Sequence, residues 1–328
     1  MGSSGFPHVT IAMPAFNEGN YVRRTVVSLL AETDYPSFDI LVLDDASSDG
    51  CCERLPRDSR VSVIRREDRF HGVAGAKKIV VEAAKGEYIF CVDAHVRPER
   101  PDWLRRLIEQ AQRFDGMVMC APIWVPLDGE TWRIKTERPK CLTKIRPIYN
   151  TGWWARADPT AERQEVSALR GIGKLFSKKA YEAIGGFDEL LHYGGEETDV
   201  SIRAWMCGLR VFYVPSVVMG HVFKSKSQFP RSHAAECNIR MWVAYKTLGR
   251  EAFEAVVENN RKAMHVKGGW GDRSFRSALQ QFQDMKPEYD RRRAEFWKHV
   301  KRPAEEILER FGITLWGWQP DPSFNLAR

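Results

Sequence analysis

Phe38-Asp-Ile-Leu-Val-Leu43, followed at once by Asp44-Asp45-Ala46-Ser47-Ser48-Asp49-Gly50, decides the fold class. The first part is a largely unbroken apolar run. A strand covered on both faces reads this way, whereas a half-exposed strand alternates. The second part is turn chemistry, rich in Asp, Ser and Gly. The same grammar recurs on either side. His8 to Pro14 runs into Pro14-Ala15-Phe16-Asn17-Glu18, and Glu87 to Val92 runs into Asp93-Ala94-His95. Val61 to Ile64 is a further strand. Between the strands, Asn20 is a helix N-cap, with Val22, Val26, Val27, Leu29 and Leu30 as an apolar stripe, and Gly72 to Ala84 reads as a second helix. Strands alternating with helices predict a parallel sheet covered on both faces. In open sheets of this kind ligands bind beyond the carboxyl ends of the strands, so the three polar clusters are expected to converge on one pocket.

Composition narrows the class. The chain has 328 residues, 43% hydrophobic and 28% charged, which is ordinary globular usage and excludes a disordered or fibrous protein. No apolar run approaches the ~20 residues that span a bilayer, so no integral membrane association is expected. Met1 to His8 lacks the basic and apolar regions of a secretion signal. The seven cysteines are scattered, which predicts free thiols and a cytoplasmic setting rather than a disulfide scaffold. No GxGxxG follows the first strand and no GxxxxGK[ST] occurs, which argues against dinucleotide oxidoreductases and P-loop NTPases. The net charge is +7, and from His221 onwards there are 20 Lys and Arg against 13 Asp and Glu. The excess therefore lies in the last third, where it suits either an acidic partner or a solvated basic helix face.

Met117 to Arg170 gives little local signal. Trp124, Trp132, Trp153 and Trp154 are expected either in an acceptor-facing lid or packed on the sheet. Gly171 to Phe176 then reads as a strand, Lys178 to Gly185 as a helix, Thr198 to Cys207 as a helix, and Val211 to Val214 as a strand leading to Gly220-His221-Val222-Phe223-Lys224. His233 to Leu248 and Glu288 to Phe311 read as helices, with a break at Gly268 to Gly271 and a basic run from Arg291 to Arg302. The predicted division is a catalytic domain over 1–230 and a mostly helical basic region over 231–328.

Three places carry chemistry. Asp93-Ala94-His95 offers a carboxylate and an imidazole to one divalent cation at a strand end, a donor set that suits a borderline metal such as Mn²⁺. His221 becomes a ligand if the sheet brings it beside His95, and is otherwise a structural histidine. Glu196-Glu197-Thr198-Asp199 follows Tyr193-Gly194-Gly195. Acids at a helix start favour the dipole, while a carboxylate beside a glycine pair could take a proton from an acceptor hydroxyl.

Taken together these motifs resemble glycosyltransferase family 2, with its GT-A fold. The resemblance rests on Pro14 to Glu18, Leu43 to Gly50, Asp93 to His95, Gly185-Gly186-Phe187-Asp188-Glu189 and Glu196 to Arg203, and covers roughly Val9 to Lys246. It is closer still to the polypeptide N-acetylgalactosaminyltransferases, through the DxH, the YGGE-like segment, Gly220 to Phe223 and Met241 to Lys246. The resemblance implies an α/β, GT-A type, mostly parallel sheet that binds a nucleotide sugar, with a helical C-terminal region. It implies Mn²⁺ (or Mg²⁺) on Asp93, His95 and His221, and a UDP-sugar donor. Asp44 or Asp45 would take the uracil N–H, with Pro14, Ala15, Phe16 and Glu18 about the nucleoside. Lys77, Ala94 and Lys224 would stand near uracil or diphosphate. Gly171 and Gly173 would floor the sugar pocket, with Gly194 and Gly195 at its mouth.

An acid at 197, where retaining relatives carry Asn, leans the reading towards inversion, with Glu197 as base and Glu196 beside it. Peptide Ser/Thr fits the closer resemblance as acceptor. A hydroxymethylated DNA base fits the basic last third, and a glycan or lipid-linked sugar fits the wider family. A non-catalytic binding module on the same fold is the reading from a different class.

Overall fold

The computed structural model describes residues 5–320 apart from 69–71, 138–140, 193, 225–231 and 266–270. Val9–Ala15 (β1) and Phe38–Asp45 (β2) pair in parallel from Val9 opposite Phe38 to Ala15 opposite Asp44. Their apolar residues are buried along nearly the whole length, as unbroken apolar runs require. Tyr21–Ala31 (α1) joins them. Val61–Arg66 (β3), Gly72–Ala83 (α2) and Tyr88–Val92 (β4) continue the α/β pattern, with β3 beside β2 and β4 beside β1.

The chain then continues through Val96–Pro98 (β5), Trp103–Gln112 (α3), Val118–Pro126 (β6), the hairpin Cys141–Ile145 (β7) and Thr151–Arg156 (β8), Gln164–Glu165 (β9) and Gly173–Ser177 (β10). Lys178–Ala183 (α4), Glu196–Met206 (α5) and Arg210–His221 (β11) follow. Strand order is β3-β2-β1-β4-β10-β6-β11-β5, with β9 on β11. The sheet is mixed, whereas the sequence pattern predicted a parallel one. β10 runs antiparallel to β4 and β6, and β5 antiparallel to β11. The reversal follows from the excursion through β7 to β9, which brings the chain back at the carboxyl end of β4. Gly173 is thereby set opposite Val92, one residue before Asp93.

The last part is helical: His233–Thr247 (α6), Arg250–His265 (α7), Gly271–Trp297 (α8) and Ala304–Arg310 (α9). The predicted helix from Glu288 to Phe311 is in fact two. α8 begins far earlier and passes through Pro287, and Pro303 then caps α9. The expected break at Gly268 to Gly271 falls largely outside the described residues. Trp242 of α6 stacks on Tyr289 of α8 at 4.1 Å. Among the described residues no helix is long and apolar enough to cross a membrane.

Candidate metal and nucleotide-sugar site

The turn after β4 is held by the protein's own hydrogen bonds. Thr25 of α1 donates its hydroxyl to the Ala94 carbonyl (3.1 Å) and accepts from the Val96 amide (3.1 Å). The Asp93 amide donates to the Ile172 carbonyl (2.8 Å), tying the turn to the start of β10. His221, at the end of β11, is paired with Val96, and the Val222 amide donates to the His95 carbonyl (3.1 Å). The β5–β11 pairing therefore closes a sequence gap that no local pattern bridges. One ligand atom from each of Asp93, His95 and His221 lies within 4.8 Å of the others.

The polar chemistry of this trio fits a cation. His221 is 7% exposed, yet neither ring nitrogen has a hydrogen-bond partner. Its Nε2 stands 3.4 Å from Asp93 without hydrogen-bond geometry. Buried polar atoms left unpaired are costly, and a divalent ion would satisfy the nitrogen that faces Asp93 and His95. Burial pushes the His221 pKa down to about 4, against the pull of Asp93, so the ring is neutral at pH 7, as a metal ligand must be. Burial pushes the Asp93 carboxyl up, but His221, Lys77 and His95 outweigh it and hold the group well below the usual carboxylate range.

Glu18 accepts from His95 Nδ1 (3.0 Å) and from Lys224 Nζ (2.7 and 2.6 Å). Burial raises its pKa, and the contacts with His95 and Lys224 more than reverse the rise.

Beside the trio lie the loops after β1 and β2. Ala15, at the end of β1, is opposite Asp44. The loop from Pro14 through Phe16 to Glu18 is stitched to the loop after β2. The Asn17 amide donates to Ser47 Oγ (3.1 Å), the Ser48 amide to Asn17 Oδ1 (2.9 Å) and the Gly19 amide to Asp49 (2.8 Å). Asp44 accepts from the Ser47 amide (2.9 Å), and Asp45 pairs with Arg66 at 3.3 Å.

On the other side is the carboxylate pair. Lys77 is 2% exposed and donates to the Gly171 carbonyl (2.7 Å) and to Glu196 (3.2 Å), with Asp93 at 4.0 Å. Burial lowers its pKa, but Glu196 and Asp93 raise it further, so it stays charged. Glu197 accepts from the Gly171 amide (2.7 Å) and from Arg170 (3.4 Å). A Cβ at Gly171 would stand 2.8 Å from Glu196 Oε1 and 3.1 Å from Glu197 Oε2, so a larger residue there would push the two carboxylates aside. Gly173 instead packs on Val92 and Trp124. Gly194 and Gly195 turn into α5 with φ of 81° and 78°. Tyr193 lies outside the described residues.

The tryptophans divide. Trp124 and Trp132 are packed in the core at 2% and 8% exposure, whereas Trp153 and Trp154 on β8 are 42% and 47% exposed. Arg170 lies over the Trp153 ring and Lys144 over the Trp154 ring, each at 5.2 Å. Trp153 also meets Phe223 at 6.3 Å, and Phe223 meets His221 at 4.5 Å. This uncovered aromatic edge adjoins both Glu197 and the metal-ligand trio. Sequence reasoning missed Arg170, and its position before Gly171 was the available signal.

The basic run on α8 is mostly spent within the molecule. Arg291 and Arg292 pair with Glu288, and Arg292 also reaches Asp188 and Glu189. Arg293 lies over Tyr245 and Trp297.

Comparison with known proteins agrees with this geometry. Polypeptide N-acetylgalactosaminyltransferase 6 of Bos taurus is 28% identical over 250 residues, covering 69% of this chain and 39% of the relative. Its Mus musculus counterpart is 30% identical over 290 residues, covering 77% and 45%. The chain thus spans about two fifths of the length of the curated relatives it matches. The crystal structure of GalNAc-T7 with UDP, GalNAc and Mn²⁺ shares the fold with a TM-score of 0.68 at 17% identity, covering 94% of this chain and 59% of that one. The family described as glycosyl transferase family 2 matches residues 10–185, more than half of the sequence, and the chain belongs to that family.

Proposed function

We propose that this protein transfers a sugar from a UDP-sugar to an acceptor hydroxyl, with Mn²⁺ (or Mg²⁺) held by Asp93, His95 and His221. The observation that carries the reading is the buried His221 ring, unpartnered at both nitrogens and within ligand distance of Asp93 and His95. The ion, when bound, neutralises the diphosphate leaving group as a Lewis acid. The loops around Ala15, Phe16, Asp44 and Asp45 take the nucleoside, and Gly171 with Gly194 and Gly195 shapes the sugar side.

Inversion is the preferred course. The acceptor oxygen forms its bond to the anomeric carbon, the bond to the diphosphate oxygen breaks, and the acceptor proton passes to Glu197. Of the two acids Glu197 is the more accessible, with a side chain 18% exposed against 8% for Glu196. Glu196 is held by Lys77 and acts on the shape of the pocket rather than on the proton.

The relatives named above act on polypeptides, so a peptide Ser or Thr is the first acceptor reading. A second reading, a hydroxymethylated DNA base, is favoured by the exposed Trp153 and Trp154 under Arg170 and Lys144. Stacking rings interleaved with cations suit an unstacked base and its phosphates.

A panel of nucleotide sugars, offered with Ser/Thr peptides, hydroxymethylated duplex DNA and oligosaccharides and read by mass, tests the reading. We expect Mn²⁺-dependent addition of one sugar to one acceptor class, and donor hydrolysis without acceptor. A folded protein that turns over no nucleotide sugar under any of these conditions would be a binding module, and the proposal would fall.

A further inference from the structure

His95 and His221 face the same place but are held differently. The two rings lie 4.6 Å apart. His221 has no hydrogen bond on either nitrogen. The Nδ1 of His95 is engaged by Glu18 at 3.0 Å. An ionised carboxylate can only accept, so in this contact Nδ1 carries the proton and Nε2 is left with its lone pair. Glu18 is itself fixed by Lys224, which reaches both carboxylate oxygens at 2.7 and 2.6 Å. Glu18 and His95 are each only 9% exposed. A buried carboxylate on the far nitrogen of a histidine sets that ring's tautomer and orientation and makes it a stronger ligand.

The geometry points to Glu18 as a positioning residue of the cation site: it presets His95 with Nε2 open to the ion, and Lys224 anchors it. This assigns the acid of the Pro14 to Glu18 loop to the metal rather than to the nucleoside. It also ties the loop after β1 and the segment after β11 to one ligand. The site is then half built in advance. Asp93 and His95 are fixed by the Thr25, Ile172 and Glu18 contacts, and His221 is the ligand held by packing alone, against Phe223, Trp124 and His95.

The inference rests on the proposed metal site, and its test separates the two. Mn²⁺ is titrated into the protein without donor, following the EPR signal of the free ion. The parent is expected to bind. Glu18→Gln keeps the size but lets an amide offer either oxygen or NH₂ to Nδ1, so binding should weaken by roughly 10–100-fold with little change in melting temperature. Glu18→Asp restores the charge and should recover part of the loss, which a merely space-filling role would not produce. Independently, ¹⁵N-histidine spectra of the parent, assigned with His95→Gln, should show the His95 proton on Nδ1. If the parent binds Mn²⁺ and Glu18→Gln binds it equally well, or the His95 proton sits on Nε2, Glu18 is not the positioning group, whatever the variants do to folding. If the parent itself binds no Mn²⁺, the metal site and this inference fall together.

Discussion

His221 is a neutral imidazole buried among aromatic and acidic groups, and nothing on its ring is satisfied within the protein. Replacing it therefore removes no hydrogen bond. His221→Ala leaves a cavity against Phe223, Trp124 and His95 and is expected to lower the melting temperature modestly, while abolishing Mn²⁺ binding, as read by calorimetric titration. A large loss of stability with Mn²⁺ affinity retained would make His221 a structural residue. Glu197→Gln belongs to the same scale. The amide oxygen can still accept from the Gly171 amide, so UDP affinity should hold, while turnover falls by about 100-fold or more through loss of the base. An unchanged kcat in that variant would move the proton to another group. In the sequence, Asp93 and His95 were legible because they are one residue apart at a strand end. His221 carried only a context, because its place beside them is set by β5 pairing with β11, a long-range register that no local spacing encodes. Arg170 was passed over although it directly precedes Gly171, since an arginine in a loop is ordinary until its carboxylate partner is seen.

The element that matters most is α5. It carries Glu196 and Glu197 on its first turn, where the helix dipole favours their charge, and Asp199 with Arg203 one turn apart. Arg203 bonds Asp199 and donates to the Gly186 carbonyl (2.8 Å), locking the Gly185-Gly186 turn to the helix. Gly195 starts α5 with φ 78°, and a Cβ there would lie 2.5 Å from Ile239 Cγ2. Gly195→Ala is thus strained twice, and a loss of about 1–3 kcal/mol in stability is expected on denaturant unfolding, with turnover falling as well. A neutral effect would mean that the turn relaxes freely and does not position the acids. The strands and helices up to β4 were readable because their apolar runs and stripes match the periods of two-sided strands and amphipathic helices. β10 was read as a strand, but its direction was not, because antiparallel entry depends on where the β7 to β9 excursion returns. Long α8 was cut short in the sequence reading at Pro287, where propensity argues for a boundary. Packing of Phe282 and Tyr289 against α6 overrides it.

Across the whole molecule, the C-terminal helices are fastened to the α/β part of the chain by buried charge. Asp188 accepts from Trp242 Nε1 (2.9 Å), Lys246 (2.6 Å) and Arg292 (2.9 Å), and Lys246 also meets Asp199 at 2.6 Å. Glu189 pairs with Lys78 and Arg292. Burial raises the Asp188 and Glu189 pKa values, but these cations more than offset it, holding Asp188 well below its usual range and Glu189 at about 2. Both folded values lie below the unfolded ones. Their stabilisation is therefore complete above about pH 4–5 and lost as pH falls towards 2. Thermal melts should show a steep loss of stability over that window, and Arg292→Ala should flatten it. An acid profile identical in parent and variant would show that the network does not fasten the two parts. Part of the basic excess of the last third, which suggested an acidic partner in the sequence, faces acids of the earlier chain: Lys224 on Glu18, Lys246 on Asp188, Arg292 on Asp188 and Glu189, and Arg310 on Glu165.

The central claim is one divalent ion beneath a nucleotide diphosphate. Crystals grown with UDP and MnCl₂ and measured at the manganese absorption edge test it most directly. The account predicts one strong anomalous peak bounded by the Asp93 carboxylate, His95 Nε2 and the His221 ring, with a diphosphate oxygen beside it. UDP bound in an intact fold with no peak there, or a peak held by other residues, would contradict it.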